Sequence, residues 1–81
     1  EGRGRSVRQT RVVITFHGTT EAMAWESACQ ANGLPGRLIP LPVQISAECG
    51  LAWLISPEQK DEVLQRARQL RLHYQNVVEL T

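Results

Sequence analysis

The sequence predicts an α+β domain of four strands and two helices, and three observations carry that prediction. Val12, Ile14 and Phe16 alternate with Val13, Thr15 and His17, which is the period of a strand. Ser56-Pro57-Glu58-Gln59 is a helix start: Ser caps, Pro takes the first turn, and Gln59 completes a capping box. Pro40 and Pro42 cannot donate ladder hydrogen bonds, so the strand that carries them belongs at a sheet edge.

The elements follow in order. Residues 12–17 form the first strand, and Gly18-Thr19-Thr20 breaks it. Either threonine can cap a helix over residues 21–32, whose buried stripe is Ala22, Trp25, Ala28 and Cys29. Asn32-Gly33 ends that helix, because both residues tolerate a left-handed backbone. Pro35-Gly36 turns the chain into a short strand over 37–41, and 43–48 reads as a loop. Residues 50–55 are almost continuously apolar, which suits a central strand. The second helix buries Val63, Ala67 and Leu70, with Glu62 and Arg66 as an i,i+4 pair. Residues 74–80 form the last strand.

Two right-handed crossovers through that order give the split β-α-β sandwich, a ferredoxin-like βαββαβ fold. Its antiparallel sheet has strand order 4-1-3-2, with both helices on one face. Strand two falls at an edge, where its prolines require it. The other sheet face has no helix on it and is available for homodimerisation; Val13, Thr15, Ala52 and Leu54, or their alternates, would form it.

At 81 residues the chain makes one domain, near the small end of what folds without staples. A net charge of +1 hides an asymmetry: Arg3, Arg5, Arg8 and Arg11 face only Glu1 across the first eleven residues. Residues 1–10 are too polar to bury apolar surface and read as a flexible basic tail before a single domain at 11–81. The rest of the chain is slightly acidic, which argues against a basic folded face for nucleic acid. No apolar run is long enough to span a membrane. The opening Glu1-Gly2-Arg3-Gly4-Arg5 has no hydrophobic segment behind it, so no signal peptide is expected. Two cysteines twenty positions apart form neither a disulfide framework nor a zinc signature, and a reducing cytoplasmic setting is the default.

Cys49 is the candidate nucleophile. The third strand runs antiparallel to the first and beside it, so Cys49 is expected near His17 and the amino end of the first helix at Thr19 and Thr20. Unpaired amides and a partial positive charge at a helix start stabilise a thiolate. Glu48 opposes that effect. Small neighbours, Gly50 among them, predict an open approach to the sulfur. Cys29, well inside the first helix, reads as a core residue and too distant for a disulfide with Cys49. A metal site of Cys49, His17 and His73 lacks any short ligand pair, so the histidines read as solvent-edge residues and no metal is expected. Trp25 and Trp53 read as core or dimer contacts.

Three separated motifs, in order, resemble a small bacterial family of selenium/sulfur (Se/S) carrier-like proteins. They are Phe16-His17-Gly18-Thr19-Thr20-Glu21-Ala22-Met23-Ala24, then Gly33-Leu34-Pro35-Gly36-Arg37-Leu38-Ile39-Pro40-Leu41-Pro42, then Ile45-Ser46-Ala47-Glu48-Cys49-Gly50-Leu51-Ala52-Trp53. The resemblance covers residues 11–80. It implies that Cys49, preceded by Ser46 and followed by Gly50, carries sulfur or selenium as a persulfide or selenosulfide for donor and acceptor proteins. It implies no cofactor and no turnover by the chain alone. Gly18 departs from the family pattern, which more often has Ser there. The rival expectation is a non-catalytic interaction module or a small-anion-binding regulatory module using the same helix start.

Overall fold

The computed structural model describes residues 10–80, so almost all of the expected tail at 1–10 lies outside the described residues. The elements are β1 (Arg11–Thr15), α1 (Thr19–Asn32), β2 (Arg37–Pro40), β3 (Leu51–Ile55), a 3-10 turn (Pro57–Gln59), α2 (Lys60–Gln69) and β4 (Asn76–Leu80). The sheet order is β2-β3-β1-β4, all pairs antiparallel, which is the expected 4-1-3-2 order seen from the other edge. The architecture is the ferredoxin-like α+β sandwich.

Register sets the two faces. Val12 pairs with Ile55 and Ile14 with Trp53, while Val13 pairs with Leu54 and Thr15 with Ala52. Side chains alternate across a strand, so Val12, Ile14, Trp53 and Ile55 share one face. That face forms a single core with Ala22, Trp25 and Cys29 of α1 and Val63 and Ala67 of α2. Both helices therefore cover the same side. At the centre of the core Trp25 meets Phe16 at 5.6 Å and Tyr74 edge-on at 5.7 Å between ring centroids. Ala28, expected in the buried stripe, is only partly buried.

Element boundaries differ from expectation for local reasons. β1 stops at Thr15, because there both neighbouring ladders end, on Ala52 and Asn76. The Thr15 hydroxyl accepts the Asn76 N–H at 3.1 Å and the Thr15 carbonyl accepts the Gln75 N–H at 2.6 Å. These bonds satisfy a buried polar side chain, 1 % exposed, and hold the start of β4. Helix α1 begins at Thr19, earlier than expected, with Gly18 as its N-cap, so neither threonine caps it. Gly33 closes it at φ 68°. The Ser56 N–H donates to Gln59 Oε1 at 3.1 Å, as a capping box requires. The expected Glu62–Arg66 pair does not form; the Arg66 guanidinium reaches Asn32 Oδ1 at 3.5 Å instead.

Gly36 does more than turn the chain. Its φ is 118°, and a Cβ there would overlap the Trp53 indole and come within 2.8 Å of Ile55 Cγ2. The same indole donates to the Pro35 carbonyl at 3.1 Å. Trp53 thus lies over the glycine and fixes how β2 enters the sheet. Gly36→Ala is expected to cost at least about 2 kcal/mol, from overpacking combined with a strained backbone. Urea unfolding should show a lower midpoint at an unchanged slope.

Candidate functional site

The β1–β3 register decides where Cys49 lies. Thr15 faces Ala52. Three residues beyond Thr15 is Gly18, the cap of α1, and three residues before Ala52 is Cys49. The end of β1, the start of α1 and the thiol accordingly share one end of the sheet, as expected from topology. Cys49 has the parity of Leu51, Trp53 and Ile55, whose side chains lie on the helix side.

That parity overturns one expectation. Cys49 is only 3 % exposed and belongs to the apolar core with Phe16, Trp25 and Cys29. Its neighbours Glu48 and Gly50 are both exposed, but the sulfur itself is turned inward. The Leu51 N–H donates to its Sγ at 3.4 Å. Both cysteines are free thiols. They differ in setting: Cys29 lies in the middle of α1 with no exposure, and burial pushes its pKa up to about 11. Cys49 lies one residue before the end of the irregular stretch between β2 and β3.

The other expected site residues lie around that end. His17 is exposed just past β1. Its N–H donates to Glu21 Oε1 at 2.8 Å, and its Nδ1 lies 3.0 Å from the same oxygen. Thr19 and Thr20 open α1 and are exposed. Ser46 is exposed in the loop, and a side chain at Gly50 would meet nothing within 4 Å. Among the described residues no three His, Cys, Asp or Glu side chains come together to hold a metal ion. Cys49, His17 and His73 are thus not gathered into a metal site. No helix among the described residues is long and apolar enough to cross a membrane.

Glu21 is the residue whose role sequence reasoning missed; its signal was the i,i+4 spacing from His17. Burial acts to raise its pKa, but the hydrogen bonds from the His17 N–H and ring, with the electrostatic influence of the nearby His17 and His73 rings, outweigh burial and lower it. A carboxyl whose folded-state pKa is depressed adds stability above its ordinary value of 4.5 and loses it as pH falls through the lowered value. Glu21→Gln should flatten that part of the acid limb, and thermal unfolding followed between about pH 6 and pH 3 checks it.

A comparison with known families gives a match over residues 11–79, from the start of β1 almost to the end of β4, to the family described as "Putative Se/S carrier protein-like". No curated protein and no solved structure matches the chain. Because that match spans nearly the whole described domain, the chain belongs to the Se/S carrier protein-like family.

Proposed function

We propose that the protein is a cytoplasmic sulfur or selenium carrier that loads the atom on Cys49 and passes it to a partner protein. The observation that carries this is a free thiol at the boundary between an irregular segment and a central strand, in a chain of this family. Loading is an exchange. The Cys49 thiolate attacks the outer sulfur of a donor persulfide, a new S–S bond forms on Cys49, and the donor's S–S bond breaks. The electron pair leaves on the donor's thiolate, which takes up a proton. Sulfur changes hands with no net oxidation. Unloading repeats the exchange on an acceptor thiolate. The selenium version forms a selenosulfide by the same attack.

The buried thiol requires the segment between β2 and β3 to open. Its backbone hydrogen bonds are few: Leu41 N–H to the Gly50 carbonyl at 2.9 Å, and Ile45 N–H to the Pro42 carbonyl at 3.0 Å. Segments with so few ties open locally at low cost. Once open, Gly50 leaves the approach clear. The amides at Thr19 and Thr20, with His17 and the Ser46 hydroxyl, are the polar groups at this end that can receive the incoming donor. On closing, the core shelters the persulfide from water and stray oxidants.

The burial of Cys49 favours a second reading: a non-catalytic interaction module, or a small-anion-binding regulatory module. In the interaction form it would pair through the helix-free sheet face, of whose expected residues only Leu54 is partly exposed, while Val13, Thr15 and Ala52 are already buried. Intact-mass measurement after incubation with a cysteine desulfurase and cysteine separates the readings. The carrier gains one sulfur, Cys29→Ser gains it too, and Cys49→Ser does not. Equal loading of Cys49→Ser, or none of the wild type, overturns the carrier.

A further inference from the structure

The sheet has two edges, β2 and β4, and they are built differently. β2 ends on Pro40 and is followed by Pro42, so its edge is blunted against a further strand. β4 contains neither proline nor glycine. It pairs with β1 on one side, and no strand lies on its other side among the described residues. Val77, Val78 and Leu80 are only partly buried there. An open apolar edge of this kind presents unpaired N–H and C=O groups to an incoming strand.

The charges around the edge point to which strand comes in. Glu79 is the only charged residue of β4, and it meets Lys60 of α2 at 2.9 Å. Lys60 therefore marks the flank of α2 on the β4 side. Arg66 reaches Asn32 of α1, so the opposite flank faces α1. Residues four apart share a helix face, which puts Leu64 and Arg68 in line with Lys60. From Lys60 to Arg68 the helix advances about 12 Å, or roughly 3.5 strand residues, so Arg68 lies towards the Asn76 end of β4. Arg68 is exposed and forms no ion pair among the described residues.

A second copy of the chain supplies the acid that this flank lacks. Val77 pairs with Ile14 and Glu79 with Val12, so both lie on the helix side of the sheet. Antiparallel pairing of β4 with its own image, with the two-fold axis at Val78, sets Val77 opposite Glu79 of the other copy. It sets Asn76 opposite Leu80, and no like charges face each other. The incoming Glu79 then lies on the Arg68 side of the Lys60–Glu79 pair already present.

We propose that the β4 edge is a self-association surface: two copies join β4 to β4 about Val78, and Arg68 of each copy pairs with Glu79 of the other. The two four-stranded sheets become one continuous antiparallel sheet. Five residues a side bury less than the roughly 1,600 Å² of a standard interface, so the dimer forms and dissociates with concentration. The pairing uses neither Cys49 nor the helix-free face, which keeps it separate from both readings above.

Sedimentation equilibrium of the protein up to about 1 mM should show monomer and dimer together. Arg68→Glu should weaken the dimer about fivefold, because two exposed ion pairs are lost, and adding Glu79→Arg should restore most of that loss. In a Cys49→Ser background, Val78→Cys should form a covalent dimer under mild oxidation, because the two positions face each other within disulfide reach. Asn76→Cys should not, since its two copies would lie about 13 Å apart along the paired strands. The proposal is overturned if the protein stays monomeric throughout that range, or if Arg68→Glu associates as tightly as the wild type. It is overturned equally if Leu54→Cys on the helix-free face cross-links and Val78→Cys does not.

Discussion

The placement of β1 between β3 and β4 is the constraint on which the rest depends. Thr15 closes both ladders, on Ala52 and on Asn76. A slip of one residue between β1 and β3 would put Val12 and Ile14 on the opposite face from Trp53 and Ile55. The core would then be divided between the two faces. Register is strongly specified here because only one face carries the helices, although Val13, Thr15 and Ala52 on the other face are buried as well. The Thr15 hydroxyl adds a polar lock at the strand end, where a buried side chain must find a partner.

The same register turns Cys49 inward. A reactive thiol needs access, while a bound persulfide benefits from exclusion of water. In the proposed carrier role Cys49 would meet both needs through its place in the chain: the sulfur is buried, but Glu48 and Gly50 on either side are exposed and the segment is tied by few backbone hydrogen bonds. Cys29 has no such freedom. It sits on a continuous helix, and reaching it would mean unfolding α1. The contrast between the two thiols comes from backbone context, since both lie in one apolar cluster.

One end of the sheet collects most of the polar chemistry. Strand β1 ends there, α1 begins there, and the turn after α2 returns the chain to β4 beside them. Helix starts expose unpaired amides, and strand ends release side chains from the ladder. His17, Glu21, Arg71 and His73 are gathered by that convergence although more than fifty positions separate the first from the last. Trp25 is buried beside them and packs against Phe16 and Tyr74.

Much of this protein was legible in the chain itself. Alternation in 12–16, the Ser56-Pro57 helix start, the Asn32-Gly33 stop and the edge prolines specify four strands and two helices, because each is a local rule of backbone geometry. Chain handedness then leaves one strand order, and the thiol's end of the sheet follows from it. The tertiary structure decided what depends on distant partners. It set the end of β1, through ladders to residues 52 and 76. It placed Gly36 under Trp53. It turned the Cys49 sulfur into the core, and it paired His17 with Glu21 across from Arg71. Burial and cleft formation are properties of surfaces brought together from far along the chain, and no short window of sequence contains both sides.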